Sequence, residues 1–171
     1  MTPNILIDTD VILDVFLDRE PHNGPSKAVM AVLGRKRFHG HITATIVVNV
    51  FYHVRKHLGK ETALQCIRDL LNTEEIEIQA IDKEILTAAL NSEMTDFEDA
   101  VQAAAAEIAE IDFIVTRNIR DFRRLPFAGS RRDSGGTVEK IEHHYRISQR
   151  RIKWIQLQCT LSLSHSQWFS L

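Results

Sequence analysis

Short apolar segments alternate along this chain with longer segments of helical period. Residues 5–7 form an apolar run without alternation, which is typical of a strand buried on both faces of a parallel sheet. Residues 41–44 and 113–116 predict two further strands, and the alternating residues 75–78 predict a strand near a sheet edge. Because strands that alternate with helices form parallel sheets with right-handed crossovers, the pattern predicts an α/β fold with a central parallel sheet.

The segments between these strands predict amphipathic helices, at residues 11–17, 26–37, 45–58, 60–71, 83–91 and 96–109. Residues 95–98 match a capping box at the start of the last helix. An apolar stripe runs along that helix and is formed by Phe97, Val101, Ala104, Ile108 and Ile111. Since alanines occupy most of its other faces, we expect this helix to be buried and closely packed.

The character of the chain changes after residue 127. Residues 1–127 fit one α/β domain and carry an excess of acidic groups, whereas residues 128–171 begin with a turn-rich break and carry an excess of basic groups. Within this second part, Val138–Arg151 has the spacing of a polar helix, and Trp154–Gln158 that of a strand. We interpret residues 128–171 as an atypical C-terminal tail whose structure the pattern does not define.

Composition adds few constraints. The net charge of −2 does not by itself indicate a polyanion partner. Cys66 and Cys159 have neither a disulfide nor a metal-ligand spacing, which fits a reducing compartment. The N-terminus lacks the features of a signal peptide, and no apolar run approaches the roughly 20 residues of a membrane span. These features predict a cytoplasmic protein without a membrane segment.

Polar groups collect where the predicted strands end. The carboxyl ends of parallel strands meet at one rim, which is where ligands bind in such folds. The rim groups are Asp8, Thr9, Asp10, Thr116, Asn118 and Asp121, and Asp99 joins them from the start of a helix. A structural role is open for several of these acids, because Asp8 and Asp10 can cap the first helix and Asp14 can pair with an arginine.

The rim has the composition of a divalent-metal site. Mg²⁺ and Mn²⁺ prefer oxygen ligands and keep several waters, so one to three carboxylates suffice. We expect the ligands Asp8, Asp99 and Asp121, with the neutral oxygen donors Thr116 and Asn118 beside them. Such a site can activate a water for attack on a phosphodiester. Arg117 and Arg120 are candidates for holding the phosphate backbone.

Three sequence segments resemble the PIN-domain family, and within it the ribonuclease toxins of VapBC toxin–antitoxin pairs. They are Ile5–Asp14, Asp96–Val101 and Ile114–Asn118, the last followed by Asp121-Phe122. The resemblance covers about residues 4–127. It implies a three-layer α/β/α sandwich, a Mg²⁺- or Mn²⁺-dependent endoribonuclease acting on RNA, and a cognate antitoxin that occupies the active groove. Members of the family tend to form homodimers.

The resemblance also assigns positions. Asp8 corresponds to the first acid of the family and Asp99 to the third, while Thr116, Asn118 and Asp121 correspond to the variable last part of the site. Asn49 stands where the family has its second acid. Asparagine keeps an oxygen ligand but lacks the negative charge, which weakens metal binding.

Three functions therefore compete. The first is the metal-dependent ribonuclease. The second is a catalytically weakened PIN-like module that binds RNA or an antitoxin, which Asn49 favours. The third is a phosphatase of the haloacid dehalogenase type, because Asp8-Thr9-Asp10 resembles its Asp-x-Asp motif. That chemistry also needs a lysine at the rim, and the sequence offers no convincing one.

Overall fold

The structure is a computed structural model that describes residues 2–117, 143–147 and 150–156. Its helices are α1 (Thr9–Phe16), α2 (Asn23–Gly34), α3 (Ala44–Leu58), α4 (Lys60–Leu71), α5 (Lys83–Leu90) and α6 (Phe97–Ile108). Its strands are β1 (Asn4–Ile7), β2 (His39–Thr43), β3 (Ile76–Gln79), β4 (Phe113–Thr116), β5 (His143–Ile147) and β6 (Arg150–Gln156). Every helix in these described ranges is too short or too polar to cross a lipid bilayer.

The strands form a single sheet in the order β3-β2-β1-β4-β6-β5. All neighbouring strands are parallel except β5, which runs antiparallel to β6. β1 lies between β2 and β4, so its carboxyl end opens at the middle of the rim. The predicted parallel sheet is confirmed, and so is the predicted position of β3 at an edge.

Successive side chains of β1 enter two different cores. Ile5 and Ile7 pack with apolar side chains of α1, α2, α3 and α4 on one face of the sheet. Leu6 packs on the other face against Ala103 and Ala106 of α6, and α5 packs against α6. Since strand side chains alternate between faces, this arrangement gives three layers. The predicted α/β/α sandwich is therefore confirmed.

Helix α6 is buried through its middle and not along its whole predicted stripe. The seven residues Ala100–Ala106 are all buried, because the small alanine side chains let the helix approach the sheet and α5 closely. Phe97 and Ile108 are 52% and 47% exposed, so their predicted inward orientation was wrong. They are the first and last residues of α6, where the helix has fewest packing neighbours.

Two strands lie in the region that the sequence pattern left undefined. The predicted helix over Val138–Arg151 was wrong, because β5 occupies residues 143–147 and β6 begins at Arg150. Hydrogen bonding along β4 overrides the helical spacing, since β6 extends the parallel sheet with Trp154 opposite Ile114. The predicted strand at Trp154–Gln158 is confirmed as far as Gln156. The domain boundary after residue 127 lies outside the described residues and stays a prediction.

Candidate active site

Asp8 lies at the corner between β1 and α1, in the middle of the rim. Its backbone N–H donates to the carbonyl of Val115 at 3.0 Å and so extends the β1–β4 ladder by one residue. It occupies the N-cap position of α1, but its side chain makes no capping hydrogen bond. Capping, the structural alternative for this acid, therefore does not account for its side chain.

Two side-chain hydrogen bonds hold the Asp8 carboxylate instead. The Thr116 hydroxyl donates to Oδ2 at 2.6 Å, and the Gln102 amide Nε2 donates to Oδ1 at 3.2 Å. Asp8 is only 6% exposed, and its burial raises the pKa of this carboxyl, against the effect of these two hydrogen bonds and of one from the Thr9 backbone. No ion pair within the described ranges involves Asp8. A buried carboxylate without a neighbouring cation is energetically unfavourable.

The start of α6 contacts this corner between β1 and α1 through a hydrogen bond. Asp96 caps the helix by accepting hydrogen bonds from the backbone N–H groups of Glu98 and Asp99. The predicted capping box was wrong in its details, because Asp96 and not Thr95 is the cap. The Glu98 side chain reaches away from its own helix end and accepts a hydrogen bond from the Thr9 hydroxyl at 3.0 Å.

Asp99 lies between the two α6 residues that contact the corner. It follows Glu98 directly, and it precedes Gln102 by three residues, or nearly one helical turn. Residues with this spacing have Cβ atoms about 5–6 Å apart on one helix face. Because Gln102 contacts Asp8, Asp99 belongs to the same side of the molecule as Asp8. Its side chain is partly buried.

Asn49 lies on α3, which begins at the carboxyl end of β2. The helix is capped by Thr43, whose hydroxyl accepts a hydrogen bond from the backbone N–H of Ile46 at 3.3 Å. Ile46 and Val50 share a core with Val11 of α1, so α3 packs beside the site corner. Asn49 itself is partly buried, and the described contacts include no hydrogen bond from it to Asp8.

A second polar cluster lies next to the corner and contains Arg117. Its Nη1 contacts Asp14 at 2.9 Å, and its Nη2 contacts Asp10 at 2.9 Å. Arg19 also pairs with Asp10, at 3.1 Å, and the Ser26 hydroxyl donates to Asp14 at 3.0 Å. The prediction that Asp14 pairs with an arginine is confirmed. Two carboxylates contact the Arg117 guanidinium here, and its predicted contact with the phosphate backbone stays a prediction.

The oxygen donors predicted for the metal site are divided between described and undescribed residues. Among them, no group of three or more His, Cys, Asp or Glu side chains is placed to hold a metal ion. Asn118 and Asp121, as well as Arg120, lie outside the described residues, so their predicted roles stay predictions. The structure brings Asp8, Thr116 and the start of α6 together, and it leaves Asn49 on an adjacent helix.

Comparison with known proteins identifies the family. A family model of the PIN domain matches residues 4–120. This chain belongs to the PIN domain family. No curated protein sequence matches the chain.

Solved structures support this PIN fold. A toxin–antitoxin complex from Klebsiella pneumoniae matches with a TM-score of 0.53 and 19% identity, over 71% of this chain and 92% of that chain. VapBC2 from Rickettsia felis, bound to a DNA fragment from its promoter, matches with a TM-score of 0.57 and 18% identity, over 72% of this chain and 93% of that chain. VapC20 from Mycobacterium tuberculosis, described as a toxin that cleaves the sarcin–ricin loop, matches with a TM-score of 0.54 and 13% identity, over 64% of this chain and 86% of that chain. At these identities the likeness shows a shared fold.

Sequence reasoning missed Gln102 and Glu98 as residues that contact the site. The capping pattern is a sufficient explanation for Glu98 in the sequence. Gln102 carried a readable signal, because it is the one long polar side chain inside the alanine-rich segment 100–106, which was expected to be buried. A polar group placed in such a segment needs a buried partner, and here that partner is Asp8.

Proposed function

We propose that this PIN domain is a metal-dependent endoribonuclease that hydrolyses RNA phosphodiester bonds. Asp8 is the observation that supports the proposal most. Its buried carboxylate is oriented by Thr116 and Gln102 and has no ion-pair partner among the described residues. A divalent cation beside Asp8 would offset the unfavourable burial of this charge.

The chemistry of the donors fits Mg²⁺ or Mn²⁺. Both ions take oxygen ligands, and the two oxygens of a carboxylate offer about four lone-pair sites, more than the hydrogen bonds from Thr116, Gln102 and the Thr9 backbone use. We assign Asp8 and Asp99 as ligands, together with Asp121, and Asn118 as a neutral donor. A bound ion would activate water and neutralise charge on the scissile phosphate. Thr116 holds the Asp8 carboxylate in place, and the Ala-rich face of α6 excludes bulk water behind it.

The proposal includes a toxin role and an antitoxin partner. VapBC and other toxin–antitoxin complexes stand among the structures with this fold. We infer that a cognate antitoxin covers the rim around Asp8 and blocks access of RNA. The homodimer and the cytoplasmic location stay predictions.

Substitution of the two acids tests the proposal. Asp8→Asn and Asp99→Asn should abolish Mn²⁺-dependent cleavage of a panel of structured RNAs, read by gel electrophoresis. Asp96→Asn is the matched control, because Asp96 lies in the same helix turn but acts as the N-cap, a role that asparagine fills equally well. Its activity should equal that of the wild type. Cleavage at the wild-type rate by either site variant would overturn the assignment.

The same Asp8→Asn variant should keep or gain stability without metal. Asparagine removes the buried charge, and its oxygen still accepts the hydrogen bond from Thr116. The buried Oε1 of Gln102 has no hydrogen-bond partner in the described structure. Rotation of the Gln102 amide by half a turn would pair this oxygen with the new amide N–H. A melting temperature in EDTA well below that of the wild type would contradict this account.

Asn49 favours a second candidate, a PIN domain that binds RNA or an antitoxin with weak cleavage. Aspartate at this position would restore a negative charge on the helix beside the site. Asn49→Asp should therefore increase Mn²⁺-dependent cleavage. Absence of cleavage in both the wild type and Asn49→Asp would favour the binding function. The match to the PIN family leaves the phosphatase alternative without support.

A further inference from the structure

Gln102 is a polar side chain in an apolar environment. It is fully buried, and its neighbours along α6 are the buried residues Ala100, Val101 and Ala103–Ala106. Its Nε2 donates to Asp8, a residue 94 positions away in the sequence. Its Oε1 is buried without a hydrogen-bond partner within the described ranges. Packing alone therefore does not explain a glutamine here, since an apolar side chain would leave no polar atom unsatisfied.

The charge of Asp8 selects the orientation of this amide. If the amide were turned by half a rotation, its oxygen would face the carboxylate oxygen at hydrogen-bond distance, and the two would repel each other. With the N–H facing Asp8, Gln102 fixes Oδ1 while Thr116 fixes Oδ2. Two donors, one on each oxygen, set the plane of the carboxylate. Donors of this kind, which orient a ligand without touching the metal, strengthen metal binding.

We propose that Gln102 is a positioning residue that orients Asp8 for binding of the divalent cation. The proposal rests on the proposed metal-dependent function and adds a residue to it. In this orientation Nε2 of Gln102 holds the Asp8 carboxylate at the rim, while its Oε1 has no hydrogen-bond partner among the described residues. Its contact with Asp8 also anchors α6, one turn beyond Asp99, to the corner between β1 and α1.

Metal affinity measures this role directly. Gln102→Met keeps a buried unbranched side chain but removes the donor, and it should raise the dissociation constant for Mn²⁺ in calorimetric titration by about 10–100-fold. Gln102→Asn keeps the amide but is one methylene too short to reach Asp8, so it should weaken binding similarly. Either variant serves if the other fails to fold, and the melting temperature in EDTA reports folding for each.

Ser26→Ala is the matched control. It also removes a donor from a buried carboxylate, but that carboxylate is Asp14, which lies outside the proposed metal site. Its dissociation constant for Mn²⁺ should equal that of the wild type. An equal weakening in Ser26→Ala would show that lost stability, and not the orientation of Asp8, is the cause.

Asp8→Asn in the same titration separates the two proposals. If Asp8→Asn abolishes Mn²⁺ binding while folded Gln102→Met and Gln102→Asn stay within twofold of the wild type, the role of Gln102 is refuted and the metal site stands. If the wild type binds no Mn²⁺, or if Asp8→Asn binds it unchanged, the proposed function fails and the role of Gln102 fails with it.

Discussion

Arg117→Met would test the charge cluster that joins the end of β4 to α1. Arg117 contacts the fully buried Asp14 through Nη1 and the half-exposed Asp10 through Nη2. Asp10 keeps Arg19 as a second partner when Arg117 is removed. Asp14 keeps the hydrogen bond from the Ser26 hydroxyl and the attraction of His22. The substitution therefore leaves a buried carboxylate without its arginine partner.

The expected loss of stability follows from the burial of Asp14. Removing one partner of a buried ion pair destabilises a fold by about 3–5 kcal/mol, because the remaining charge is uncompensated. For a chain of 171 residues, each 1 kcal/mol lowers the melting temperature by about 2–4 °C. We expect the Arg117→Met variant to melt about 6–20 °C below the wild type at pH 7.

The loss of stability depends on pH in a defined direction. Burial raises the pKa of Asp14 above its ordinary value of 3.8, and the Arg117 charge limits this rise. Without Arg117 the folded-state pKa rises further. A carboxyl with a raised folded-state pKa stabilises the fold when it is protonated, and this stability is lost as the pH rises through that pKa. The destabilisation by Arg117→Met should therefore be smallest near pH 4 and increase toward pH 7.

Urea denaturation of the wild type and the variant between pH 4 and 7 measures this difference. A second comparison uses the Asp14→Asn variant, in which the buried charge is already absent when Arg117 is replaced. In that background Arg117→Met should have a much smaller effect, which a double-mutant cycle quantifies. An equal loss at pH 4 and pH 7, or an equal loss in the Asp14→Asn background, would refute the electrostatic explanation.

Two further predictions concern β2. Gly40→Ala should lower the free energy of unfolding by about 1–3 kcal/mol in urea denaturation, because a Cβ atom there would lie 3.0 Å from the Glu75 carbonyl oxygen and from Leu33 Cδ1. An unchanged urea midpoint of unfolding would contradict this. Burial lowers the pKa of His41, against the attraction of Glu77, so the wild type should lose stability as the pH falls below about 6.5. The His41→Gln variant should lose less stability over that pH range. Equal pH dependence of the unfolding free energy in the wild type and the variant would show that His41 is not the cause.

The sequence alone predicted most elements of the first 117 residues and the parallel character of the sheet. Strand β4 and helix α4 have the predicted bounds. The alternation of strands and helices predicted the parallel sheet, and the alternation of polar and apolar residues within residues 75–78 predicted the edge position of β3. Asp8 and Asp99 were placed at a strand end and a helix start in the same way. These features depend on hydrophobic periodicity, capping and turn residues, which act over a few neighbouring positions.

Only the tertiary structure decided which groups contact one another. Gln102 reaches Asp8 over 94 positions, Glu98 reaches Thr9 over 89, and Arg117 reaches Asp14 over 103. A local pattern shows that a polar side chain lies in a buried segment, but its partner depends on how α6 crosses the sheet. The β5–β6 pair likewise depends on β4, because a free strand edge can override the helical spacing of the segment that pairs with it.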